Sequence, residues 1–110
     1  MNAPSREDWP TTVDEAVEMV LQSLTQDWRD TLLHGTRQAA QGRNFTLGLW
    51  IRNRFGMWRG NRELLLDVIR RSEGDPKADG KMDADFAAYF ILGVVWDRLQ
   101  ESQEEGADPE

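Results

Sequence analysis

From Val13 to Leu99 the apolar residues recur at intervals of three and four, and no useful stretch alternates apolar with polar residues. That period places side chains on one face of an α-helix and excludes a sheet built on half-buried strands. The cleanest example is Val13, Ala16, Val17, Val20, Leu21 and Leu24. Thr12 precedes it and Glu15 stands three residues on, the spacing of a capping box.

Read the same way, Thr25 caps a second helix with Asp27 in its first turn and Trp28, Leu32 and Leu33 facing inward, ended by Gly35. A short polar turn of helix over Thr36 to Gln41 follows, closed by Gly42. Asn44 is then the expected cap of a helix carrying Leu47, Trp50, Ile51, Phe55 and Trp58, with Phe45 and Leu49 widening its apolar face. A helix apolar over so much of its circumference is expected at the centre of the bundle. Gly56 and Gly60 interrupt the pattern, and Asn61 caps a helix with Leu64, Leu65, Val68 and Ile69 that ends near Ser72. The run SEGDPKADGK reads as loop. Asp83 caps a last helix with Phe86, Tyr89, Phe90, Leu92, Val95, Trp96 and Leu99. The fold class expected is all-α: a single domain, a small irregular bundle of four to five helices. It spans residues 12–100, with a flexible lead-in over 1–11 and a disordered acidic tail over 101–110.

Such a bundle must be held by packing. The 110 residues contain no Cys and one His, which rules out disulfides, thiolate zinc sites and a His-based metal cluster. Ten aromatic residues, five of them Trp, compensate in a domain whose size leaves much of its surface unburied. No apolar run reaches the roughly 18 residues of a membrane span or forms a signal peptide, so a cytoplasmic protein is expected, with no membrane contact.

The charge is uneven. The net value is −7, yet residues 31–62 carry Arg37, Arg43, Arg52, Arg54, Arg59 and Arg62 and no acid. Such asymmetry concerns partners rather than fold. Arginine outnumbers lysine eleven to two, which fits either a GC-rich genome or a use for guanidinium chemistry.

The segment 45–62, FTLGLWIRNRFGMWRGNR, therefore supports two readings. In one, Trp50, Ile51 and Phe55 are core, and Arg52 and Asn53 tie off backbone carbonyls, together a structural hub. In the other, Arg54, Trp58, Arg59 and Arg62 contact a partner or an anion, since Trp and Arg are enriched at interface hot spots. Arg52 and Arg59 share a face only if the helix continues through Gly56. Interleaved basic and aromatic residues are also the ingredients of a nucleic-acid surface, against which stand the acidic total and the scarcity of Lys.

Other features have plainer explanations. His34 at a helix end suits the dipole there. Asp83 with Asp85, and Asp27 with Asp30, fall in helix first turns, where capping explains them without paired-carboxylate catalysis. The DPKADGKMD run lacks the alternating ligands and terminal Glu of a calcium loop, and no phosphate loop or nucleophile elbow is present. Gly48 and Gly93, each inside a helical pattern, suggest a close approach of their two helices.

The pattern F-x-L-G-x-W-I-R-N-x-x-G-x-W, here Phe45 to Trp58, resembles the signature of a bacterial family of small uncharacterised domains. The similarity runs from the Thr12 helix to the helix beginning at Met82. The family usually has Met-Ser there and this chain has Met82-Asp83, a mild departure because both Ser and Asp cap helices. The resemblance implies a shared fold and brings no catalytic residue, cofactor or ligand. The function expected is a non-enzymatic protein-interaction or regulatory module with an unknown protein partner, with nucleic-acid or phosphate binding through Arg52, Arg54, Arg59 and Arg62 as the alternative. No cofactor is expected, and spare tryptophans are compatible with a homodimer.

Overall fold

The computed structural model describes residues 9–72 and 84–107, with side chains given up to residue 102. The described residues form six α-helices and one 3-10 turn: α1 (Val13–Ser23), α2 (Gln26–Leu33), α3 (Arg37–Gln41), the 3-10 turn (Gly42–Phe45), α4 (Leu47–Arg54), α5 (Arg62–Arg71) and α6 (Ala84–Ala107). There is no strand among the described residues. The count exceeds the four to five expected because Arg37–Gln41 is an α-helix in its own right, with the Thr36 side chain accepting from the Ala39 N–H.

Thr12, Thr25 and Asn61 cap their helices, each accepting from the backbone N–H three residues on. The return arm of the first cap is displaced by one residue: the Glu15 carboxylate accepts from the N–H and hydroxyl of Thr11 rather than from Thr12. Residues 9–11, expected in a loose lead-in, lie against the body. Pro10 is buried, and its carbonyl accepts from Asn61 Nδ2 at 3.0 Å.

Long, and apolar over a wide arc, α6 is the central element, and α1 to α5 all pack on it. It buries Ala87, Ala88, Ile91, Leu92, Val95 and Leu99 against Val13, Ala16, Val17 and Val20 of α1, Ile51 of α4, and Leu64 and Val68 of α5. Its polar side chains complete the ends of other helices. Trp96 Nε1 donates to the Gly35 carbonyl at 3.1 Å, Gln100 Nε2 donates to the Leu33 carbonyl at 3.3 Å, and Asp97 receives a two-bond grip from Arg37.

The central position expected for the 45–55 helix thus belongs to α6. Helix α4 is only eight residues long and buries Gly48, Ile51 and Arg52. Asn44 does not cap it. The Asn44 side chain instead donates to the Asp85 carbonyl of α6 and accepts from Arg52. Gly48 and Gly93 do not face each other as nearest neighbours. A Cβ on Gly48 would strike the Asn44 amide, and one on Gly93 would lie 2.8 Å from Arg37 Nη2 and 2.9 Å from Gln41 Nε2.

At the far end α6 continues to Ala107, past the expected boundary at residue 100, because Leu99–Ala107 is built largely of strong helix formers. Residues 108–110 of the expected tail, residues 73–81 of the expected loop and the Asp83 cap lie outside the described residues.

Candidate functional site

The local sequence determines how α4 ends. Gly56 adopts a left-handed conformation, φ 69°, and Gly60 has φ 101°, so the chain between them turns rather than continuing the helix. The Gly56 carbonyl accepts from the N–H groups of Arg59 and Asn61, and the Asn61 side chain donates to the Phe55 carbonyl at 2.7 Å. Position 56 tolerates no side chain, because a Cβ there would overlap the Trp9 indole. The Arg52–Arg59 face that required a continuous helix does not form.

Each arginine of the segment has its own surroundings. Arg52 is 7% exposed: Nη1 donates to Asn44 Oδ1 at 3.1 Å, Nη2 donates to the Asn44 carbonyl at 3.3 Å, and Nε faces the Asp85 carboxylate at 3.4 Å. Its guanidinium carbon also lies 5.6 Å from the Trp58 ring centroid. Arg52 therefore joins the 3-10 turn, α4 and α6 and is not free to meet a ligand. Arg59 lies over Trp9, 5.6 Å from its centroid, and Arg43 lies over Trp28 at 5.5 Å. Arg62 is exposed beside a cleft of about 280 Å³ walled by Trp9, Thr11, Gly60, Asn61 and Glu63. Arg54 is half-buried, and its Nη1 has no hydrogen-bond acceptor among the described residues.

Of the five residues read as a hub, Ile51 and Phe55 are fully buried and Arg52 is nearly so. Trp50 is at the surface, 38% exposed, with its ring edge-on to Phe55 at 5.8 Å. Asn53 is exposed. The buried asparagine that ties off backbone carbonyls is Asn61, which sequence reasoning recognised only as a cap.

The widened apolar face of the 45–55 segment is turned partly outward. Phe45 is 91% exposed and Leu49 41%, while Trp58 beyond the turn is 58% exposed. A cleft of about 400 Å³ is lined by Val20, Ser23, Leu24, Thr25, Trp28, Thr46, Leu47, Trp50 and Ile51. It forms where the end of α1, the start of α2 and the start of α4 meet. Sequence reasoning assigned Trp28 to an inward face and so missed the cleft. The signal available was the excess of apolar residues on a helix too short to bury them.

His34, exposed, donates from Nδ1 to the Asp30 carbonyl at 2.8 Å, closing α2. No group of three or more His, Cys, Asp or Glu residues suited to a metal occurs among the described residues, and no described helix is long and apolar enough to cross a membrane.

An all-helical bundle organised on one long helix, with an aromatic cleft and a stacked Trp/Arg turn at its surface, is the class of protein these features define. The chain belongs to a family described as a domain of unknown function (DUF6794), whose model matches residues 9–99. That match takes in Trp9 at one end and Leu99 at the other, nearly the whole of the packed body. No curated protein and no solved structure matches the chain.

Proposed function

We propose that this chain is a non-enzymatic interaction module of the bacterial cytoplasm, binding a protein partner through the aromatic surface of residues 45–58. The observation that carries this reading is Phe45, 91% exposed and next in the chain to Thr46, which lines an apolar cleft. A phenyl ring held in water costs the hydrophobic free energy that burial would return, on the order of 2 kcal/mol. Trp50, in the cleft lining, and Trp58 are two further exposed rings, and tryptophan is among the residues enriched at binding hot spots. Contiguous exposed apolar groups beside a concavity are the usual mark of an interaction site.

The contact set differs from the one read in the sequence. Trp58 and Arg54 stay in it, Phe45, Trp50 and Trp28 join it, and Arg59 and Arg62 leave it because Arg59 lies over Trp9 and Arg62 lines a separate cleft. Arg52, read as part of the hub and of the alternative anion set, is held by Asn44 and faces Asp85. The test is affinity capture from the native cell with the wild type, Phe45→Glu and Trp58→Ala, alongside thermal unfolding of each. The reading expects a protein captured by the wild type and lost from at least one variant at unchanged melting temperature. Identical capture by all three would overturn it.

A further inference from the structure

Five of the ten described arginines pair with a carboxylate among the described residues, and Arg29, Arg59 and Arg62, like Arg43 and Arg54, do not. Arg37 pairs with Asp97, Arg52 with Asp85, Arg70 with Asp67, and Arg71 and Arg98 share Asp14. In a chain with 20 acidic and 13 basic residues, carboxylates are in surplus. Yet Arg43 and Arg54 pair with no carboxylate among the described residues. Arg43 lies over Trp28, one wall of the cleft. Arg54 stands four residues after Trp50, which also lines the cleft, and hence one turn further along the same face of α4. Its Nη1, like Arg52 Nε, is buried without a hydrogen-bond acceptor among the described residues.

We propose that the cleft takes an acidic amphipathic segment of another protein. Its apolar side chains fill the space between Trp28 and Trp50, and its carboxylates meet Arg43 and Arg54. The proposal rests on the interaction-module reading and adds the partner's chemistry to it. A volume of about 400 Å³ admits a few side chains from a helix or short peptide, not a folded domain. A guanidinium and a carboxylate form the stronger, charge-assisted class of hydrogen bond, and Arg presents its donors as a fork that a carboxylate matches.

Charge also separates this occupant from two others. The chain's own acidic run, ESQEEGADPE, has no large apolar residue to enter the cleft. A second copy joined cleft to cleft would bring Arg43 and Arg54 of both copies together, a like-charge contact that a symmetric interface repeats twice.

The test is selection of displayed peptides of about 16 residues on the full chain, long enough for a helix-in-groove contact. Selected peptides are expected to carry several large apolar residues and net negative charge. They should lose about tenfold or more in affinity, the scale of a hot-spot truncation, against Trp50→Ala and against the Arg43→Glu, Arg54→Glu double variant. The charge-reversed protein also guards against misfolding, since it should gain affinity for the same peptides with Glu replaced by Lys. Net-basic or neutral selected peptides, no enrichment at all, or undiminished binding to both variants would each overturn the proposal. So would a wild-type dimer in sedimentation that Trp50→Ala dissociates, because the cleft would then hold a second copy. If the cell-captured partner is lost with Phe45→Glu but retained by the charge-reversed protein, only the acidic-segment proposal fails and the module reading stands.

Discussion

Asp67 of α5 accepts a 2.7 Å hydrogen bond from the backbone N–H of Val13, the first residue of α1. The carboxylate is 5% exposed and also receives Arg70, so one buried side chain supplies an acceptor that the first turn of a distant helix lacks. Helix N-termini favour negative charge for the same reason.

Replacing Asp67 with Ala leaves a buried N–H without a partner, which costs about 2–3 kcal/mol where the lost partner was charged. For a domain of this size that lowers the melting temperature by roughly 10–20 °C. Arg70→Ala removes only the exposed partner, 76% accessible, and should cost under about 1 kcal/mol. Urea denaturation of the two variants compares them directly, and equal losses would show that the Val13 contact contributes nothing of its own.

Gly56→Ala meets two penalties, a left-handed backbone and the Trp9 ring. The first costs about 1–2 kcal/mol and the second a further 1–3 kcal/mol by overpacking. Removing the ring by Trp9→Ala should leave only the backbone part, so the substitution is cheaper in that background. A double-mutant cycle measures the difference, and strict additivity would mean that Trp9 does not rest on Gly56 in solution.

Asp14 is tied to two helices, accepting from Arg71 of α5 and Arg98 of α6 at 2.9 Å each. The hydrogen bond from Arg71, then the Arg71 and Arg98 charges and the Arg98 hydrogen bond, hold its carboxyl below the usual value, against an opposing effect of desolvation. A folded-state pKa depressed in this way adds stability above the ordinary carboxylate range near pH 4, and that stability is lost as pH falls through the lower folded value. The urea midpoint of the wild type should therefore exceed that of Asp14→Asn at neutral pH by a small margin, which closes on acidification below about pH 4. A gap that widens at low pH would contradict the assignment.

Phe45 and Phe55 are ten residues apart and should behave oppositely. Phe55→Ala empties a fully buried site and costs about 3–5 kcal/mol. Phe45→Ser alters a ring already in water and should stay within about 0.5 kcal/mol of the wild type. Thermal unfolding of the pair shows whether the exposed ring at the end of the 3-10 turn serves the fold, and a large loss at position 45 would assign it to the core.

Nucleic-acid binding would have to rely on Arg54, Arg59 and Arg62, since Arg52 is occupied. Three neutralised phosphates on duplex DNA give a slope of log affinity against log salt near −2.7. The expected outcome is no retention of labelled DNA at low salt. Retention with that slope would displace the protein-partner reading.

Elements whose signals are local were legible in the sequence. Thr12, Thr25 and Asn61 cap as read, and the stripe of α1 is buried at Val13, Ala16, Val17 and Val20. What failed depended on contacts distant in the chain. Asn44 looks like a cap, yet Asp85 and Arg52, 41 and eight residues away, claim its side chain. Asp67, which carries no local signal in the sequence, acquires its role only when α1 is placed beside it. The 45–55 face was legible as unusually apolar but not as outward-facing, because periodicity reports which residues share a face and not whether a neighbour covers it. For the candidate site, Trp58 and Arg54 were visible as surface chemistry, whereas the cleft is made by three helix ends meeting and has no linear signature.

The order of elements along the chain has a consequence for synthesis. Five helices leave the ribosome before α6, the helix on which all of them pack. None can bury its apolar stripe on that helix until translation has passed Leu99, so folding is held back until nearly the whole domain has been made. Through that interval Val17, Ile51 and Leu64 are open to chaperones, and a ribosome stalled anywhere before α6 presents a nascent chain with no core to close.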